Sequence, residues 1–134
     1  MDDRRASVAA VEAMQRFVDM VPGARAVLAE HVNDVDEILP HLLMADLSRW
    51  LVDAVVTGDE RGVADFLTAV EVLYTSDDPD TRNVVEVSFM QLLVVNPDGG
   101  ERTAIEAIRR LAGPAAIADL AREESRWPDP SGNR

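Results

Sequence analysis

The stretch 39–93 constrains this chain more than any other, because three consecutive apolar patterns of helical period follow one another there with only short polar turns between them. Pro40 opens the first, where its missing N–H would be unpaired in any case. Leu43, Leu47, Trp50, Leu51, Ala54 and Val55 then recur at spacings of three and four, which is one helical face. Leu42, Met44, Val52 and Val56 carry apolar character around the circumference, the pattern of a helix buried between neighbours. Gly58 offers a left-handed stop and Asp59 a cap for the helix that follows.

That second predicted helix runs over Glu60–Tyr74, with Val63, Phe66, Leu67, Val70, Leu73 and Tyr74 on one face. Asp78 and Pro79 open the third, to which Val84, Val85, Val87, Phe89, Leu92 and Leu93 give apolar contacts. Its valines favour a strand locally, but the capping aspartate, the first-turn proline and the length favour a helix. Two very short turns between three helices imply antiparallel packing of each on the next.

The flanks read the same way. Ser7 caps a first helix with Val8, Val11, Met14, Val18 and Val21 inward, and Pro22-Gly23 break it. A short helix over about 24–32 offers Val27, Leu28 and Val32, while 33–39 reads equally as a further turn or a loop. Asn96-Pro97-Asp98-Gly99-Gly100 marks a loop. A sixth helix with Ile105, Ile108 and Leu111 stops at Gly113, and Pro114 starts a seventh with Ile117 and Leu120. The expectation is an all-α fold: a compact bundle of six to seven helices with a HEAT-like antiparallel central hairpin. Residues 1–127 would form one helical domain and 128–134 a flexible C-terminal tail. With only 4% aromatic residues, aliphatic ridges rather than ring clusters are expected to fill the core.

The HEAT-like expectation rests on Asp77-Asp78-Pro79-Asp80-Thr81-Arg82, which lies between two amphipathic helices and resembles the turn of one HEAT-type repeat. The order Leu39-Pro40-His41-Leu42-Leu43-Met44-Ala45-Asp46-Leu47, then this hairpin, then Leu111-Ala112-Gly113-Pro114, resembles a family of small, acidic, uncharacterised bacterial helical proteins over about 35–122. That resemblance implies an all-helical fold and transfers no activity or site.

Several chemistries are excluded or disfavoured. With no cysteine there is no disulfide framework, thiol nucleophile or zinc–thiolate site. No serine sits in a Gly-x-Ser-x-Gly elbow, and Gly99-Gly100 lacks the Lys-Ser/Thr of a phosphate loop. His31, Asp34, Asp36, Glu37 and His41 form a dense group of metal-ligand types, but Pro40 interrupts the register of Glu37 with His41 and the spacing matches no helical metal motif. Asp77, Asp78, Asp80 and Asn83 lack the glycine and distal glutamate of a calcium loop, so helix capping explains them better. No metal and no cofactor is expected. Arg49 stands three and four residues from Asp46 and Asp53, at spacings of ordinary helical ion pairs. Trp50 reads as core, and Trp127 as packing back on the bundle in preference to anchoring a partner.

Charge carries the functional reading. Residues 34–86 hold 13 acidic side chains against 3 arginines, a net of −10, while the remainder holds 12 against 10. Such a field repels nucleic acid and attracts a basic protein surface. The expectation is a non-enzymatic protein-binding module whose acidic middle docks a basic protein partner through Asp59, Glu60, Asp65, Glu71, Asp77, Asp78 and Asp80, with no nucleic acid and no membrane involved. An immunity protein or antitoxin neutralising a nuclease-type toxin fits this by analogy. The alternatives are a helical enzyme or a small-ligand or metal binder with an interhelical pocket, built on the 31–41 group, and a subunit that forms a homo-oligomer. Every basic residue is arginine, a usage typical of GC-rich bacterial coding, and with no signal-like or spanning segment the expected location is the cytoplasm.

Overall fold

The computed structural model describes residues 7–94 and 100–126, and among these every regular element is helical. Helix α1 (Val8–Met20) is followed by a 3₁₀ turn, Pro22–Ala24, and α2 (Arg25–Val35). Helices α3 (Pro40–Thr57) and α4 (Glu60–Tyr74) come next. A continuous rod then runs through α5 (Pro79–Asn83), a π-helical segment (Val84–Phe89) and α6 (Met90–Val94). Helices α7 (Gly100–Leu111) and α8 (Pro114–Arg126) complete the bundle. Of the loop expected at 96–100, Gly100 is instead the first residue of α7, while 96–99, Trp127 and the tail expected at 128–134 lie outside the described residues.

Local chemistry sets the boundaries. Ser7 Oγ accepts from the Ala10 N–H at 3.1 Å, Asp59 from the Gly62 N–H at 2.9 Å, and Asp78 from both the N–H and the hydroxyl of Thr81. Gly58 ends α3 at φ 80°, a conformation open to glycine at little cost. The undecided stretch 33–39 divides: 33–35 complete α2 and 36–39 form a tight turn, opened by the C-cap Asp36, left-handed at φ 67°. The buried His31 closes that turn by accepting the Leu39 N–H on Nε2 at 3.0 Å.

Helix α3 lies at the centre, against α2, α4, the π segment and α7. Leu43, Met44, Leu47, Leu51, Val52 and Ala54 face the core. It is not buried all round, because Leu42 and Val56 remain exposed. The first helix also presents a face different from the expected one. Val8, in its opening turn, is 73% exposed, and the inward stripe is Ala10, Ala13, Met14, Phe17 and Val18, so small alanines and one ring do the packing.

The core corrects the expectation of aliphatic ridges without rings. All three phenylalanines converge, with Phe66 at the middle. Phe17 meets it edge-on at 5.0 Å and 86°, Phe89 lies 6.0 Å away at 37°, and Trp50 stacks at 6.1 Å and 17°. Few aromatics are present, but four of them join α1, α3, α4 and the π segment at one point.

The valine-rich rod is helical, and its π winding explains which residues face inward. Buried positions step by five across it, from Val84 to Phe89 and Val85 to Met90, then return to four from Phe89 to Leu93. A strict 3.6-residue period places Val87 inward, whereas the wider turn leaves it 46% exposed. At the other end, Ile105 and Ile108 are buried as expected, while Leu111 and Ile117 are exposed.

Two substitutions measure this hierarchy. Phe66→Ala should lower unfolding free energy by about 3–5 kcal/mol and Leu47→Ala by about 2–5 kcal/mol, since both leave cavities in a closed core. Val56→Ala should stay within about 0.5 kcal/mol, as exposed positions usually do. Urea denaturation reads all three, and a Phe66 loss no larger than that at Val56 removes the ring cluster from the core.

Candidate docking groove

The α3–α4 hairpin leaves an open groove of about 560 Å³ where the α7–α8 junction rests against it. Its floor is apolar: Ala54 and Val55 come from α3, Val63, Ala64 and Leu67 from α4, and Leu111 from the end of α7. The helical spacing of Glu60, Val63, Ala64, Leu67, Thr68 and Glu71 puts one full face of α4 along it. Asp59 and Glu60 stand at one end and Glu71 at the other, and none of the described residues lining it is basic.

Glu71 has a second task. Its Oε1 accepts the Ala115 N–H at 2.9 Å and its Oε2 the Ala116 N–H at 3.0 Å, so a side chain from α4 caps the start of α8. A carboxylate is also favoured there by the positive end of the helix dipole. This explains Gly113, since a Cβ at that position would collide with the Glu71 carboxyl group. Gly113 is therefore required by close approach. One turn further along α4, the Tyr74 hydroxyl donates to Asp119 Oδ2 of α8 at 2.6 Å. Burial pushes the Tyr74 phenol far above its ordinary range, and the hydrogen bond to Asp119 and the nearby charges of Asp119, Glu86 and Glu71 push it further.

Of the seven acidic residues singled out in the sequence, six stand toward the two ends of α4 and Asp65 lies between them. Asp59 and Glu60 share the groove with Glu71, while Asp77 lines a second cleft of about 290 Å³ beside α1, in company with Arg16. Asp78 caps α5, Asp80 is exposed in the first turn of α5, and Asp65 is half-buried on α4 away from the groove face. The fifteen residues of α4 span about 22 Å at 1.5 Å per residue. That is about two Debye lengths at 0.1 M salt, so the ends act as separate patches there.

The 31–41 group is not assembled. His31 is buried, with Nε2 committed to Leu39 and Nδ1 3.7 Å from Asp46 Oδ2. His41 is exposed and shares a 2.6 Å hydrogen bond through Nδ1 with Ser88 of the π segment. Among the described residues, no three His, Asp or Glu side chains are placed to hold a metal ion together. Of the two partners within reach of Arg49, the guanidinium pairs with Asp46.

Sequence reasoning missed the groove itself and the work of Glu71, because both join segments some forty residues apart. The one local signal was Leu111, an apolar residue at the very end of its helix, beside a glycine and a proline.

A family profile described as Domain of unknown function (DUF7674) matches residues 14–118. No curated protein and no solved structure matches the chain at a significant level.

The α4–α8 contacts make two tests. Glu71→Ala should cost about 0.5–2 kcal/mol, the usual loss for a helix cap, against almost nothing for exposed Glu60→Ala. Equal effects would deny Glu71 its capping role. The second test uses pH. The chain has one tyrosine, no cysteine and only arginine as a basic side chain, so Tyr74 is the sole side chain expected to titrate between about pH 9 and 12. A folded-state affinity for the proton above that of the unfolded chain means stability is complete below about pH 10 and falls as pH rises further. Tyrosinate absorbance should therefore rise together with loss of helical circular dichroism, and Tyr74→Phe should flatten the alkaline slope. Ionisation that precedes unfolding would place the phenol in contact with solvent.

Proposed function

The chain belongs to the DUF7674 family, and we propose that it is a non-enzymatic protein-binding module whose acidic middle docks a basic partner. The observation that carries this reading is the concentration of charge: a net of −10 over 34–86, with an acidic patch at each end of α4. Fields of this kind raise association rates with oppositely charged surfaces and penalise like-charged partners. Supporting it, the histidines and carboxylates that would serve an enzyme are committed elsewhere: His31 to a turn, Glu71 and Asp78 to helix starts, and Asp119 to a tyrosine.

The finer form of the proposal is an immunity protein or antitoxin acting in a bacterial cytoplasm, where a nuclease-type toxin offers the basic surface. A HEAT-type reading of the central hairpin draws support from Arg82, which closes the α4–α5 turn by donating to the Ser76 carbonyl at 2.6 Å. No helix among the described residues is long and apolar enough to cross a membrane, which is compatible with this setting.

Neutralising charge without disturbing caps tests the proposal. Glu60→Gln, Asp65→Asn and Asp80→Asn leave Asp59, Asp78 and Glu71 in place. Against a partner recovered by affinity capture at low salt, the triple variant should associate several-fold more slowly with little change in dissociation, because rim charges act mainly on encounter. Raising salt should shrink the difference. An unchanged association rate in a variant of normal thermal stability would return this surface to ordinary solvated charge.

A further inference from the structure

We infer that the groove between α3, α4 and the α7–α8 junction is the seat of one amphipathic, positively charged helix from a partner protein. This rests on the binding role proposed above and adds where the partner sits and what it presents. The floor over Val63, Ala64 and Leu67 offers shape, with Val63 and Leu67 nearly buried, and Leu111 at its edge is 61% exposed among the described residues.

Length and charge choose the occupant. From Glu60 to Glu71 the groove follows α4 for about 16 Å at 1.5 Å per residue, the length of three helical turns. A third helix laid along a two-helix hairpin completes a bundle, and it needs aliphatic anchors at i, i+3 or i+4, and i+7. Small residues at Ala54, Gly58 and Ala64 in the lining favour close approach of such a helix. Asp59 and Glu60 at one end, with no basic residue in the described lining, select arginine or lysine flanking those anchors.

The same geometry argues against a small polar ligand. Such sites place a few free polar groups around the ligand, but here both Glu71 oxygens hold backbone N–H groups of α8, and one oxygen of Asp59 holds Gly62. The groove can therefore specify by packing inside and by charge at the rim.

The test is a displayed library of fourteen-residue helical peptides, randomised at the anchor positions, with basic, neutral or acidic flanks, selected against the full chain. Two variants, Ala64→Arg and Leu111→Glu, each block the groove from a solvent-exposed position, and circular dichroism with thermal melting verifies that they fold. Enrichment of basic-flanked peptides with aliphatic residues at helical spacing is expected. Their affinity should fall about tenfold or more in either folded variant, as loss of a central anchor does. No enrichment, acidic or flank-independent enrichment, or winners indifferent to both variants overturns the inference. Self-association that Leu111→Glu abolishes also overturns it, by making a second copy the occupant. Winners whose association still slows in the Glu60, Asp65 and Asp80 triple variant but ignores the groove variants sink the groove alone, whereas indifference to both sets sinks the charge reading as well.

Discussion

The contact of Phe66 with Phe17, Trp50 and Phe89 is what the remaining structure depends on. Each of these rings comes from a different element, so one side chain on α4 fixes the spacing of α1, α3 and the π segment at once. The edge-on and offset arrangements suit the ring quadrupoles and add to the gain from burying so much apolar surface. The chain concentrates its few aromatics there and fills the surroundings with leucine, valine, methionine and alanine. Trp50 extends the cluster outward over Gly23 and Gly62, where side chains would crowd its indole, so the α1–α2 turn and the start of α4 are shaped to admit that ring.

The acidic residues divide into those that hold the fold and those left to face solvent. Asp59, Asp78 and Glu71 satisfy backbone N–H groups at the starts of α4, α5 and α8, where the helix dipole also favours negative charge. Asp119 accepts from Tyr74 and pairs with Arg122 at 3.4 Å. These groups are stabilising because they are hydrogen-bonded, and removal of one partner strands the other. What remains free, Glu60 and Asp80 most clearly, is the part of the charge available to a partner. A net charge read from composition therefore counts groups that hold the fold together with groups left free to contact a partner.

Much of this architecture was legible in the residues because its causes are local. Ser7, Pro40, Gly58, Asp59, Asp78 and Pro79 act within one turn of where they stand, and they bound α1, α3, α4 and α5 where expected. The buried faces of α3 and α4 followed the same way from a 3.6-residue period. What was not legible depends on contacts distant in sequence or on a change of period. His31 closes a turn eight residues away, Glu71 caps a helix 44 residues away, and the π segment lengthens the step between buried positions to five residues, so that Met90 is buried and Val87 exposed. The acidic cluster misleads for a related reason: residues adjacent in a list of charges stand at opposite ends of a helix about 22 Å long.

The groove ends at the α7–α8 junction, where polar bonds hold the start of α8 on α4 beside the buried Ala116 and Leu120. Glu71 draws the start of α8 onto α4 through two backbone N–H groups, and Gly113 lets the chain pass close enough for that to happen. Leu111, last in its helix, is left 61% exposed at this junction among the described residues. Had Gly113 been a leucine, α8 would stand off and the cap would be lost; had Glu71 been apolar, α8 would start with unpaired N–H groups. Glu71 and Gly113, the pair that secures the start of the last helix, also line the groove, so stability and the candidate docking surface share the same two residues.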